Sequence, residues 1–156
     1  ARIANDLGYG IKLNTVVTSA NYTDDMTDVV KEINPTRWKI FQVLKIEGEN
    51  DSRVEPLLIS GSYFDQYIER HMQSLACSSI QVVPENNDAM LGTYAMIDAL
   101  GRVYTNQNGY YLYSEDTIQE FGFVHCWNQV SPGFSHEAFE ARGGEWDWES
   151  TMGVAL

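Results

Sequence analysis

Thiols, imidazoles and cations are all scarce in this sequence, and each scarcity closes off a class of chemistry. The 156 residues hold two cysteines and three histidines. Cys77 and Cys126 lie far apart, with no second cysteine or histidine at ligand spacing, so no zinc site or iron–sulfur cluster is written into the local sequence. Two reduced thiols are the default reading and one disulfide the alternative. His71, His125 and His136 also lack ligand spacing and read as surface or satisfied core histidines. Ten Lys+Arg stand against 22 Asp+Glu, a net charge of −12, which is the wrong sign for a general nucleic-acid or anionic-membrane surface. No run of about 18 apolar residues and no basic-then-apolar leader occurs. The expectation is a cytoplasmic chain, membrane-associated only through a segment outside it. There is no internal repeat and no low-complexity stretch.

What is present is enough for a core, with 44% hydrophobic and 12% aromatic residues, and it predicts globular structure. Two alternating runs, Gly10–Val17 and Arg37–Leu44, read as strands. Alternation puts Lys12 and Asn14 on one face of the first and Arg37 and Lys39 on one face of the second. A cation withdrawn from water needs an opposite charge, so these residues suit an anionic ligand. On an acidic protein such a ligand is held locally: a contact pair is worth roughly 4 kcal/mol at an effective dielectric of about 20, whereas acids beyond about 10 Å are screened.

Between the strands, Met26, Val29, Val30 and Ile33 recur at helical spacing within Asp24 to Ile33, and Asn34-Pro35 stops the helix. Strand, helix and strand predict a right-handed βαβ unit with a parallel pair, which two strands alone cannot stabilise. A second amphipathic helix is expected from Ser62 to Leu75. Ser79 to Pro84 reads as extended. Thr93 to Val103 and Gly109 to Tyr113 read as strands joined through an Asn108-Gly109 turn, and Ser135 to Ala141 as a last helix. Ala1 to Gly8 reads as the final turns of a helix ended by Gly8, so the chain is expected to begin inside a structural unit.

Lys12-Leu13-Asn14, Asp25-Met26-Thr27, Asn34-Pro35-Thr36-Arg37-Trp38-Lys39-Ile40-Phe41-Gln42 and Ile46-Glu47-Gly48-Glu49-Asn50 stand in this order along the chain. Together they resemble the C-terminal half of viperins, radical S-adenosylmethionine (SAM) antiviral enzymes. The resemblance continues through Glu69-Arg70-His71, Val83-Pro84-Glu85, Tyr94 to Asp98 with Arg102, and Phe139 to Gly144. It implies an α/β fold: the C-terminal portion of a partial (β/α)6 barrel over 1–60, then a mixed α+β extension over 61–156 that closes over a nucleotide. It also implies a [4Fe–4S] cluster and SAM, a 5′-deoxyadenosyl radical, and conversion of a ribonucleoside triphosphate to its 3′-deoxy-3′,4′-didehydro analogue in antiviral defence. CTP is the expected nucleotide, with UTP and GTP used by some relatives. The family's Cys-x3-Cys-x2-Cys is missing here, so the chain alone is expected to be inactive, a fragment or a split homologue of a longer enzyme.

By the resemblance, Lys12 and Lys39 contact the triphosphate, Asn14 meets ribose hydroxyls, and Arg37 grips phosphate or the SAM carboxylate. Tyr94 is the proton donor to the leaving 3′-hydroxyl, a role a neutral phenol fills without burying a charge. Arg142, Gly143 and Gly144 offer a guanidinium and side-chain-free backbone to phosphate. Each residue also has a plainer reading: salt-bridged or snorkelling lysines, an asparagine bonding nearby backbone, an Arg37 ion pair with Glu47 or Glu49, a core tyrosine, and a glycine helix stop. Tyrosines stand at Tyr110 and Tyr111 where relatives commonly place a lysine. The acidic Glu145-Trp146-Asp147-Trp148-Glu149 offers an iron–sulfur assembly factor a contact, or is a solvated tail. A non-catalytic nucleotide-binding or interaction homologue is the alternative function.

Overall fold

The computed structural model describes residues 1–145, which form two compact units. One comprises Ala1–Val43 and Pro56–Asn86, the other Leu44–Glu55 and Asn87–Glu145.

The first unit carries α1 (Arg2–Asp6), β1 (Lys12–Val17), α2 (Thr27–Ile33), β2 (Arg37–Gln42), α3 (Gly61–Leu75) and β3 (Gln81–Glu85). The sheet order is β1-β2-β3 and both pairs are parallel. The expected βαβ unit is therefore present, and the extended segment after Ser79 supplies the third strand. Leu13, Val17, Trp38, Ile40 and Val82 lie on one face and pack with Val30, Phe64, Tyr67, Ile68 and Leu75 from the helices. Each large apolar side chain buried this way contributes about 1.5–3 kcal/mol. Buried Trp38 is satisfied, its Nε1 donating to Thr15 Oγ1 at 2.9 Å. The second helix starts at Thr27 rather than Asp24, because Asp25 Oδ1 accepts from the Thr27 N–H at 2.9 Å and fixes a turn ahead of the helix. It ends at Asn34, left-handed at φ 49°, before Pro35. Ser60 caps α3 by accepting from the Tyr63 N–H, as favoured helix starts require.

The second unit holds α4 (Asn87–Met90), β4 (Ala95–Ile97), β5 (Arg102–Thr105), β6 (Leu112–Thr117), α5 (Ile118–Phe121), α6 (Phe123–Val130) and α7 (His136–Ala141). Its three strands are antiparallel in the order β4-β5-β6. The single strand expected over Thr93 to Val103 is instead two strands folded back on each other. Asp98 causes the reversal: its Oδ1 accepts from the Leu100 and Arg102 N–H groups at 2.9 Å each, and Gly101 supplies φ +83°. Asn108-Gly109 lies between β5 and β6, as the hairpin expectation had it, but inside the 3₁₀ turn Gln107–Gly109. Buried Val103, Cys126 and Val130 form the core, with Leu112, Ile118 and Trp127 packed around them. The Leu44–Glu55 loop is tied in by the Glu47 N–H to the Gly109 carbonyl at 2.7 Å.

The fold is thus mixed α/β with two small sheets, and no closed barrel forms among the described residues. Both cysteines are free thiols, Cys77 exposed and Cys126 buried. Among the described residues no helix is long and apolar enough to cross a membrane.

Candidate functional site

Parallel register decides which polar side chains share a face. Lys12 partners Arg37 and Asn14 partners Lys39, while Arg37 partners Gln81 and Phe41 partners Glu85. Lys12, Asn14, Arg37, Lys39 and Glu85 thus lie on the face opposite the helices. On the edge strand Lys12 and Asn14 are exposed, whereas on the central strand Arg37 and Lys39 are buried. Lys39 is ion-paired with Glu85, and its ammonium lies 5.3 Å from the Phe41 ring centre. Glu85 is the residue whose role the sequence concealed: the extended run read from Ser79 stops at Pro84, and the partner of Glu85 lies on another strand.

The loop following β1 is held by α3. Arg70 Nη2 donates to the carbonyls of Tyr22 and Asp24 at 3.0 and 2.9 Å. His71, fully buried, accepts the Met26 N–H on Nε2 at 2.9 Å, with Nδ1 2.8 Å from the Tyr67 carbonyl. Those partners require Nδ1–H and an unprotonated Nε2, so the ring is neutral. Burial pushes its pKa below the ordinary histidine value, against a smaller opposing pull from the Tyr67 carbonyl. Burial also pushes the Tyr67 phenol up to about 12. Loops at the carboxyl ends of parallel strands are where such sheets bind ligands.

In the second unit, Tyr94 and Arg142 come together from distant parts of the chain. The Arg142 guanidinium lies 4.3 Å from the Tyr94 ring centre, donates from Nη1 to the phenol oxygen at 3.4 Å, and from Nη2 to the Thr93 carbonyl at 2.9 Å. The bond to Tyr94 uses an oxygen lone pair and not the hydroxyl hydrogen, which is the proton a general acid delivers. The Gly143 and Gly144 N–H groups donate to the Glu140 and Phe139 carbonyls at 3.0 and 2.9 Å, so here the glycines act as a helix stop. Tyr94 also lines a cavity of about 280 Å³. Asp98 and Arg102 form a 2.8 Å ion pair across the β4–β5 turn, which holds the Asp98 carboxyl below the usual range, chiefly through the Arg102 backbone N–H. Arg102 stacks on Tyr113, and Tyr113 on Tyr104.

His125 is exposed and pairs with Asp116 at 2.8 Å; His136 is exposed near Glu140. Among the described residues no group of three or more His, Cys, Asp or Glu could hold a metal ion. A cluster with one iron left open needs three thiolates, and two cysteines cannot supply them, so a [4Fe–4S] group does not fit these residues. Within the Glu145–Glu149 motif, residues 146–149 lie outside the described residues.

No family model matches the chain. Individual proteins do. It is 40% identical over 92% of its length to an S-adenosylmethionine-dependent nucleotide dehydratase of Flammeovirga pacifica, covering 47% of that protein. A protein of the same name in Lacinutrix mariniflava is 33% identical over 96% of the chain, with 30% of its own length covered. The S-adenosylmethionine-dependent nucleotide dehydratase RSAD2 of Danio rerio is 34% identical over 88% of the chain and 37% of its own length. The chain belongs to the viperin family. It spans less than half the length of these relatives. The viperin resemblance that the sequence motifs carried thus extends along nearly the whole chain, through both structural units.

Proposed function

We propose that this chain is the substrate-binding portion of a viperin-like enzyme, a SAM-dependent lyase that converts CTP to its 3′-deoxy-3′,4′-didehydro analogue in antiviral defence. The observation that carries the proposal is the similarity over 92% of the chain to a protein named a SAM-dependent nucleotide dehydratase. In this reading the segments 1–60 and 61–156 bring the last units of a partial radical SAM barrel and its extension, with β3 of the second segment continuing the parallel sheet begun in the first. SAM and the [4Fe–4S] cluster belong to the whole enzyme, which works in the cytoplasm. The thiolates come from an N-terminal barrel half, and a cluster-assembly factor meets the acidic C-terminal motif.

The residues present serve the nucleotide. Lys12 and Lys39 counter phosphate charge, Arg37 forks onto phosphate or the SAM carboxylate, and Asn14 bonds ribose hydroxyls. Tyr94 protonates the leaving 3′-hydroxyl. Arg142, beside Tyr94, favours negative charge there, and phosphate reaches the Gly143 and Gly144 N–H groups by displacing the helix-stop carbonyls of Glu140 and Phe139.

The complete reading frame containing this chain, reconstituted anaerobically with iron and sulfide, tests the proposal. SAM cleavage to 5′-deoxyadenosine should rise on adding CTP and less with UTP or GTP, and Tyr94→Phe should block release of the didehydro product. Nucleotide binding without stimulated SAM cleavage would leave the non-catalytic homologue standing instead.

A further inference from the structure

Asn106 follows the last residue of β5 and is 3% exposed. Its Nδ2 donates to the Met90 carbonyl at 2.7 Å, which also accepts the Thr93 hydroxyl at 3.1 Å. That bond fixes the amide, so its oxygen can act only as an acceptor. Yet the Asn106 Oδ1 is buried with no hydrogen-bond partner among the described residues. Buried polar atoms in native proteins are nearly always satisfied, by protein, water or ligand. An orphan of this kind next to a cavity marks a place for a donor.

The cavity is the 280 Å³ space that Tyr94 lines, bounded also by Asn106, Tyr111, Met90 and Met96. Among the described residues no Lys or Arg lines it, which disqualifies it as a triphosphate site. Two phenol rings and two thioethers instead make walls suited to the faces of a planar ring. Asn50, also on the wall, is already committed: its Oδ1 accepts from the Ile46 N–H at 2.8 Å and its Nδ2 donates to the Leu44 carbonyl at 3.0 Å. Asn106 itself lines the cavity and its Oδ1 is buried, and unbranched methionines are the side chains best able to give way before an entering group.

We propose that this cavity receives the base of the nucleotide, and that Asn106 Oδ1 accepts a hydrogen bond from its exocyclic amine. The proposal rests on the nucleotide reading above and adds to it the residue that reads the base. An amide locked as acceptor favours an amino edge, as in cytosine, and opposes the keto edge that uracil places at the same ring position, where two acceptors would meet.

Phosphate-free nucleosides isolate this site from the lysines. Titrated into the full chain and followed by protein-observed NMR, cytidine should bind about tenfold more tightly than uridine, the factor of roughly one hydrogen bond. Asn106→Leu should remove the preference, and Met96→Phe, which fills the cavity while leaving the Asn106 bond to Met90 in place, should weaken both nucleosides. Equal affinity for cytidine and uridine, or a preference that survives Asn106→Leu in a folded variant, overturns the proposal. Should CTP and UTP bind equally, both weakened by Lys12→Ala, the nucleotide reading stands and the base site falls. Should neither nucleosides nor triphosphates bind, both fall.

Discussion

Lys39 and Glu85 form an ion pair on the non-helical face of the parallel sheet, with side-chain exposures of only 10% and 0%. Desolvation offsets much of what such a pair gains by attraction, but removing one partner takes a counter-charge from the other in a poorly solvated place. Lys39→Met should therefore cost about 3–5 kcal/mol of unfolding free energy, measured by urea denaturation. The double variant with Glu85→Leu should recover most of that loss. Any test of Lys39 as a phosphate contact must be made in the Glu85→Gln background, where folding and binding can be told apart.

Lys12 gives the cleaner measurement. It is exposed on the edge strand and has no ion pair among the described residues. Lys12→Ala should leave stability within about 0.5 kcal/mol. Triphosphate affinity should fall about tenfold, about 1.4 kcal/mol, with a weaker salt dependence in calorimetric titrations at two ionic strengths.

His71 predicts a pH dependence with a definite sign. Its folded-state pKa lies below the ordinary 6.5, so between the two values the unfolded chain binds a proton that the folded chain refuses. Its contribution is whole above pH 6.5 and is lost as pH falls below that toward the folded value, with a slope of at most about 1.4 kcal/mol per pH unit. Asp25, whose pKa is lowered chiefly by the Thr27 hydroxyl, acts in the same direction only below about pH 3.8. Thermal melts between pH 7.5 and 5 should show the drop, and His71→Gln should flatten it while lowering the melting temperature throughout.

Gly101 turns the chain between β4 and β5 at φ +83°, and a Cβ there would run into the Gln119 amide. Gly101→Ala should destabilise by about 1–2 kcal/mol, since the position is buried as well as left-handed. Pairing it with Gln119→Ala should remove the steric part and leave the backbone strain, which denaturant midpoints can resolve.

Much of the first unit was legible because its signals are local. Alternation in Lys12–Val17 and Arg37–Gln42, helical spacing to Ile33 and the Asn34-Pro35 stop all act within a few residues. The β4–β5 reversal was hidden because Asp98 and Gly101 interrupt an otherwise apolar, strand-like run. Helix α6, Phe123–Val130, was missed for a different reason: Phe, Val, His, Cys and Trp are indifferent helix formers, and the helix is justified by Cys126 and Val130, one turn apart, entering a core with Val103. The site was least legible where partners are distant in sequence. Nothing near Lys39 announces Glu85, nothing near Tyr94 announces Arg142, and the unsatisfied oxygen of Asn106 is a property of its surroundings alone.

The order in which the two units take their residues from the chain bears on how the protein is made. Leu44–Glu55 belongs with Asn87–Glu145, although Pro56–Asn86 completes the other unit. On the ribosome the first unit has all its strands once residue 86 has emerged. The 44–55 loop must then wait for Gly109 and Tyr113, its partners through Glu47 and Glu49, a delay of a few seconds at roughly 5–20 residues per second. Through that interval Ile46 and Val54, both buried in the finished protein, lack their final neighbours, and a nascent chain stalled there offers chaperones two uncovered apolar side chains within an otherwise charged loop.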